Sequence, residues 1–267
     1  MVSRNEFVET LVSLIKKAET ELGDDVIQLL REAERREDGH AKMIVQSLLR
    51  NTEIAKEKRV PLCQDTGIPV IFVDIGRDAE LNFDIYDASR EAVKIATEVV
   101  PLRPNSVHPL TRENAGNIPV VHCRIVEGDE LRLAVMPKGA GSENVSKQMM
   151  LLPGDSDRIK DFVVQVVKEA GGKPCPPVFV GVGIGGTFDE SALIAKRALL
   201  RDARKMNEFE LEILREINSL GIGPMGLGGK TTALSVLVEV ECCHTASLPL
   251  AVNIQCWANR KAFAVVG

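Results

Sequence analysis

Three of the six cysteines lie in loops beside predicted strands. Cys63 and Cys175 each precede an apolar run, and Cys256 follows another. Because strand ends are where a fold brings distant segments together, the three thiols could share one site. Proline on both sides of Cys175 also fixes the backbone there. Since a cysteine is usually a small buried apolar residue, that interpretation stays open, and it fits Cys123 and the Cys242–Cys243 pair better.

Three thiolates are one fewer than a cubane iron–sulfur cluster ordinarily uses. The iron without a thiolate could act as a Lewis acid on a substrate oxygen, which indicates hydration or dehydration rather than electron transfer. Such a reaction also needs a proton-transfer group and donors for carboxylates. We predict that Asp65, two residues after Cys63, is the acid/base group. Gln64, Arg103 and His244 are the predicted substrate contacts.

Composition narrows the range of partners and compartments. Lys and Arg number 33 against 38 Asp and Glu, so the formal net charge is −5, and aromatic residues make up only 4%. These values give no reason to expect nucleic acid or an anionic membrane as partner. The sequence contains neither a membrane-length apolar run nor an N-terminal secretory pattern, which predicts a cytoplasmic protein. Six cysteines are too sparse for a disulfide scaffold.

Two glycine-rich segments resemble nucleotide or phosphate motifs. Gly181–Gly186 fits the G-x-G-x-x-G pattern after a strand, but no following strand ends in an acidic residue at the expected distance. Gly226–Thr231 resembles a phosphate loop with its first glycine one residue out of register, and an anion-cradling role stays open. A dinucleotide oxidoreductase is therefore one alternative function.

Hydrophobic periodicity predicts the elements that position these residues. Helices are predicted in three segments of the first 60 residues and at about 83–100, 155–170, 188–205 and 207–219. Strands are predicted at 68–75, 118–126, 131–136, 178–184, 232–240, 250–255 and 262–266. We expect the second and third strands to form a hairpin.

This pattern predicts an α+β fold, with N-terminal helices followed by mixed or antiparallel sheets packed with helices. We expect one domain over 1–267, with a helical portion at 1–60 and a cluster- and substrate-binding portion at 61–267. If the C-terminal strand lies at an exposed edge, it needs a covering partner.

Six sequence blocks together carry a specific resemblance. They are PLCQDTGIPV (61–70), LRPNSVHPLTRENAGNIP (102–119), MPKGAGSEN (136–144), CPPVFVGVGIGGTFDESALIAKRALL (175–200), GIGPMGLGGKTTAL (221–234) and HTASLPLAVNIQCWANR (244–260). The chain resembles the α subunit of class I, iron–sulfur fumarate hydratases and of the related L(+)-tartrate dehydratases.

The resemblance implies a [4Fe-4S] cluster on Cys63, Cys175 and Cys256 with one open iron; Cys242 and Cys243 stay open as weaker alternatives. It implies a dicarboxylate pocket lined by the predicted contacts and by the loop near Gly139. It implies a separate β subunit, in an α2β2 assembly, that completes the active site.

The function predicted from the sequence is reversible hydration of fumarate to (S)-malate. Dehydration of L(+)-tartrate to oxaloacetate is the nearest alternative, because the two substrates are closely related and part of the pocket lies in the other subunit. A non-catalytic metal-binding subunit is an alternative of a different class, and a tightly bound zinc ion would favour it.

Overall fold

A computed structural model describes residues 2–267. Its α-helices in this range are α1 (Arg4–Thr20), α2 (Asp24–Arg36), α3 (Gly39–Lys58), α4 (Ile85–Val99), α5 (Ala140–Glu143), α6 (Arg158–Ala170), α7 (Phe188–Ala198) and α8 (Glu208–Ser219). Its strands are β1 (Ile68–Gly76), β2 (Ser106–Val107), β3 (Asn114–Gly116), β4 (Val120–Val126), β5 (Leu131–Lys138), β6 (Lys147–Leu151), β7 (Val178–Ile184), β8 (Ala233–Val240), β9 (Leu248–Gln255) and β10 (Ala262–Val266).

The α+β class and the main predicted elements are confirmed. The helix predicted from about 155 begins at Arg158, and the one predicted to reach 205 ends at Ala198. Sequence reasoning missed β6, whose five residues pair only with β9 at the edge of a sheet. Residues 2–267 include no helix with the length and hydropathy needed to cross a membrane.

The chain divides into two compact units. The first comprises residues 2–23, 51–139 and 260–267, and the second comprises 24–50 and 140–259. Each unit contains one four-stranded mixed sheet, ordered β10-β5-β1-β4 in the first and β6-β9-β7-β8 in the second.

Helices α1 and α4 cover one face of the first sheet. The apolar residues of α1 recur at helical spacing, and Phe7, Leu11 and Ile15 are fully buried. They share one hydrophobic core with Ile71 of β1 and Leu133 of β5. Burying this apolar stripe against the sheet is the main force that holds the helix in place.

The predicted hairpin of β4 and β5 is wrong, because β1 lies between the two strands. It pairs with β4 in parallel and with β5 in antiparallel orientation. Val70–Val73 are all buried, so both faces of this run are covered. Such a run is typical of a central strand with a neighbour on each edge. The turn after β4 instead closes over the end of β1, where the Gly76 N–H donates to the Glu130 carbonyl.

In the second unit, α7 lies against the glycines of β7. A Cβ atom at Gly183 would lie 2.1 Å from the Ser191 carbonyl oxygen of α7, and one at Gly181 would lie 2.1 Å from the Ala195 carbonyl oxygen. The G-x-G pattern therefore serves close packing of a helix on a strand.

Replacing Gly183 by alanine is expected to lower the free energy of unfolding by about 1–3 kcal/mol, because the new methyl group has no space against α7. Chemical denaturation monitored by circular dichroism measures this. Gly154→Ala is the matched control, since nothing lies within 4 Å of its Cβ position. Equal stability of the two variants would contradict the packing role of Gly183.

Candidate active site

One end of the first sheet collects most of the predicted site residues. The strands β1 and β10 begin at this end and the antiparallel β5 finishes there; Ile68 pairs with Lys138, and Ala262 pairs with Val135. The loop before β1 carries Cys63, Gln64 and Asp65. The residue after β5 is Gly139.

Asp65 is half-buried and held by its own loop. Its Oδ1 accepts a hydrogen bond from the Gly67 N–H at 3.0 Å. Its Oδ2 lies 3.0 Å from the position a Cβ atom would take at Gly139. Gly67 has a φ of 72° and approaches the backbone of Lys138, so only glycine fits there. The structure thus brings Asp65 and Gly139 together.

Arg103 joins the same loop through its backbone. Its N–H donates to the Thr66 hydroxyl at 3.1 Å, and the side chain of Asn105 donates to the same hydroxyl and to the Gly67 carbonyl. The Arg103 side chain is exposed, as is that of Gln64, while Cys63 between Leu62 and Gln64 is half-buried. The guanidinium is therefore available for an anionic ligand.

Beneath this loop lies a buried ion pair that sequence reasoning missed. The Arg260 Nη1 donates to Glu19 Oε2 at 2.7 Å, and its Nη2 donates to the Asp65 carbonyl at 3.1 Å. Burial raises the pKa of the Glu19 carboxyl to about 7; the charge and hydrogen bond of Arg260 oppose this rise, and Asp65 adds to it.

A sequence signal for this pair does exist. Glu19 continues the apolar stripe of Leu11 and Ile15 at four-residue spacing, where a carboxylate is out of place. A buried acid of this kind requires a cationic or hydrogen-bonding partner. Nothing in the sequence identifies that partner as Arg260, which lies 241 residues away.

In the second unit, Cys175 and Cys256 meet at one end of the second sheet. Cys175 precedes β7 and Cys256 follows the antiparallel β9, in which Gln255 pairs with Phe179. The Trp257 N–H donates to the Cys175 carbonyl at 3.2 Å. The Cys175 side chain is exposed and that of Cys256 is half-buried.

The backbone at Cys175 is strained. Its φ of 54° lies in the left-handed region, which costs a residue other than glycine about 1–3 kcal/mol. The loop is held from the neighbouring glycine segment, where the Met225 N–H donates to the Pro176 carbonyl at 2.7 Å. Strain of this kind concentrates at ligand-binding positions, and it fixes where this thiol stands.

His244 lies elsewhere in the second unit. It is exposed on the loop between β8 and β9, and its Nδ1 accepts a hydrogen bond from the Ala246 N–H at 3.1 Å. Because β8 runs parallel to β7, this loop is at the opposite end of the sheet from Cys175 and Cys256. The second unit does not bring His244 to these two cysteines, and its predicted contact with substrate stays a prediction.

The second glycine-rich segment, Gly226–Thr231, already binds an anion, and this anion is a glutamate side chain of the same chain. The carboxylate of Glu37, buried in the second unit, accepts hydrogen bonds from the N–H groups of Lys230 at 3.0 Å and Thr231 at 2.5 Å. A Cβ atom at Gly229 would lie 2.9 Å from Glu37 Oε2. These backbone donors are therefore occupied and anchor α2 to the loop.

The thiols match the ligand type of an iron–sulfur cluster. None of the six cysteines in residues 2–267 forms a disulfide. The chemistry of Cys63, Cys175 and Cys256 suits iron, since soft thiolates bind such clusters. Among the described residues, no three His, Cys, Asp or Glu side chains are grouped closely enough to hold a metal ion. The cluster assignment stays a prediction.

Comparison with known proteins identifies the family. The model of the fumarate hydratase (Fumerase) family matches residues 8–265. The chain is 46% identical over 271 residues to a Methanocaldococcus jannaschii protein named "Putative L(+)-tartrate dehydratase subunit alpha", with 95% of each chain covered. It is 30% identical to the L(+)-tartrate dehydratase subunit alpha of Escherichia coli O157:H7, covering 98% of this chain and 91% of that protein.

A third relative is longer. The chain is 34% identical to a Geobacillus stearothermophilus protein named "Putative fumarate hydratase class I", but covers 53% of that protein's length. These matches establish a class of hydro-lyases, as predicted from the sequence. The chain belongs to the fumarate hydratase (Fumerase) family.

Replacing Gly139 by alanine is expected to lower kcat by about tenfold or more, because the methyl group would displace the Asp65 carboxylate by a few tenths of an ångström. Steady-state kinetics of the complete enzyme measure this, with Gly154→Ala as control. If Gly139→Ala retained the kcat of the unmodified chain, the contact with Asp65 would have no catalytic importance.

Proposed function

We propose that this chain is the α subunit of an iron–sulfur hydro-lyase that reversibly hydrates fumarate to (S)-malate. The observation that carries the proposal is the Asp65 carboxylate, half-buried beside Gly139 and next in the chain to Gln64 and Cys63. The family match over 8–265 supports the reaction class.

Asp65 is the proposed proton-transfer group. Its Oδ1 is engaged by the Gly67 N–H, while Oδ2 faces the Gly139 backbone, where a side chain is absent. A carboxylate whose loop fixes its orientation can exchange a proton with a substrate at a defined position.

Substrate binding is assigned to side chains around this carboxylate. Arg103 is exposed and its backbone is tied to Thr66, so its guanidinium can donate two parallel hydrogen bonds to one substrate carboxylate. Gln64 offers an amide donor on the same loop. His244, exposed on the loop between β8 and β9, is a further proposed contact.

Cys63, Cys175 and Cys256 are the proposed holders of a [4Fe-4S] cluster. When bound, a cluster with an open iron would supply a Lewis acid that makes the substrate hydroxyl a better leaving group. The half-buried or exposed thiols and the strained Cys175 backbone support this role. A reducing compartment such as the cytoplasm suits both thiols and cluster.

A separate β subunit, in an α2β2 assembly, is proposed to complete the site. Two of the relatives carry "subunit alpha" in their names, and the chain covers 95% and 91% of their lengths. It covers only half of the class I fumarate hydratase relative. The remaining base and carboxylate-binding groups would then come from the partner.

Dehydration of L(+)-tartrate to oxaloacetate is the second candidate. The names of these two relatives favour it, and this chain covers 95% and 91% of their lengths. Both substrates are four-carbon dicarboxylates, so Arg103 and Gln64 could serve either.

Co-expression with the β subunit, anaerobic iron and sulfide reconstitution, and assays on fumarate and L(+)-tartrate test the proposal. Turnover of fumarate to (S)-malate at the higher kcat/KM supports it. Turnover of tartrate alone would make the second candidate correct. A complex that binds zinc and turns over neither substrate would instead indicate a non-catalytic metal-binding subunit.

Asp65→Asn is expected to lower kcat by about 10²- to 10⁴-fold, the usual contribution of a positioned acid/base group. Asparagine keeps an oxygen for the Gly67 N–H, so the loop should stay folded. Steady-state kinetics and bound iron per chain are measured together. Full activity of this variant at unchanged iron content would exclude the proton-transfer role.

A further inference from the structure

Glu19 and Arg260 form an ion pair that is almost completely buried. Both side chains are 1% exposed, and the guanidinium donates to Glu19 Oε2 at 2.7 Å. Burying two charges is expensive, and well-packed apolar residues at such positions are often as stable. The pair therefore calls for a role beyond stability.

Glu19 is linked to both ends of the segment 62–65, directly to Leu62 and through Arg260 to Asp65. The Glu19 backbone carbonyl accepts the Leu62 N–H at 2.8 Å. Its side chain holds Arg260, whose second nitrogen, Nη2, donates to the Asp65 carbonyl at 3.1 Å. Cys63 and Gln64 lie between these two anchored positions. We call these contacts the Glu19–Arg260 clamp.

The geometry of a guanidinium suits this arrangement. Its planar fork presents separate N–H groups in fixed directions, so one contacts Glu19 while another contacts Asp65. A lysine ammonium carries its three N–H groups on one nitrogen and does not reproduce the spacing of that fork.

We propose that Arg260, held by Glu19, is a positioning residue that fixes the Asp65 backbone and thereby aims the Asp65 carboxylate at Gly139. The catalytic part of this inference rests on the proposed function of Asp65; the anchoring of segment 62–65 does not. Arg260 itself acts through the loop and is assigned no contact with substrate.

A matched control lies in the second unit. Arg201 donates to Glu210 Oε1 at 2.7 Å and to the Val238 carbonyl at 3.0 Å, and the Glu210 side chain is fully buried. This pair also joins a guanidinium to a buried carboxylate and a backbone carbonyl, but the Arg201 side chain is 32% exposed and also lies 3.5 Å from Glu239 Oε1. Arg201→Lys therefore reports what loss of a guanidinium fork costs in stability alone.

The experiment combines hydrogen exchange with kinetics. Exchange at the amides of residues 61–67 is measured by mass spectrometry on the full chain carrying Arg260→Lys, Arg201→Lys or neither. The expected result is exchange about tenfold faster in this segment for Arg260→Lys only, with exchange in residues 178–184 unchanged. In the complete enzyme, Arg260→Lys should lower kcat per bound cluster by about 10- to 100-fold while KM changes little.

Unchanged hydrogen exchange at residues 61–67 in a folded Arg260→Lys chain would overturn the inference. Changes in exchange and in kcat equal to those of Arg201→Lys would also overturn it. If Arg260→Lys does not fold, Glu19→Gln decides, because the amide weakens the hold on Arg260 and keeps the backbone contact to Leu62. It should speed exchange in the same segment, and an unchanged rate would overturn the inference. If the unmodified enzyme hydrates no substrate, the proposed function fails, and exchange alone decides whether the clamp anchors the loop.

Discussion

Strand β1 hydrogen-bonds to a neighbour on each edge, and this double pairing determines which loops meet at the candidate site. Antiparallel pairing with β5 brings the loop before β1 beside Gly139, where β5 ends. Parallel pairing with β4 brings the segment containing Arg103 to the same end. Ile71 and Val73 of β1 share a core with Leu133 of β5, so packing as well as hydrogen bonding fixes the register that brings Asp65 beside Gly139.

At this end of the first sheet, hydrogen bonds involve backbone groups as well as side chains. Asn105 and Arg260 each donate to a main-chain carbonyl of the loop that carries Asp65, and the Thr66 hydroxyl of that loop accepts from the Arg103 N–H. Contacts of this kind restrain the loop that carries the Asp65 carboxylate. Such preorganisation is the contribution that a scaffold makes to proton transfer.

Much of this arrangement could be predicted from the sequence. Helical periodicity identified α1 and α4, and the cysteine loops were correctly placed beside strands. Pairing across long sequence distances could not be predicted: the turn at 127–130 suggested a hairpin, yet the buried β1 takes the central position. Nor could the sequence reveal that Glu37 occupies the glycine-loop amides, because donor and acceptor lie about 190 residues apart.

The site residues also divide into those whose placement could be predicted from the sequence and those whose placement could not. Asp65 and Gly139 are neighbours, and Cys175 and Cys256 share one end of the second sheet. His244 was predicted as a substrate contact from its residue type. The parallel pairing of β8 with β7 shows that its loop lies at the end of the second sheet opposite Cys175 and Cys256. The position of Glu19 in the apolar stripe of α1 is visible in the sequence, but its partner Arg260, 241 residues away, could not be predicted.

The most direct test of the account is the iron and acid-labile sulfide bound per chain after anaerobic reconstitution. Cys63→Ser, Cys175→Ser and Cys256→Ser are compared with the unmodified chain and with Cys123→Ser, whose thiol lies on β4. We predict about four irons for the unmodified chain and for Cys123→Ser, and a clear loss in each of the other three. Full iron content in any of those three variants would contradict the account.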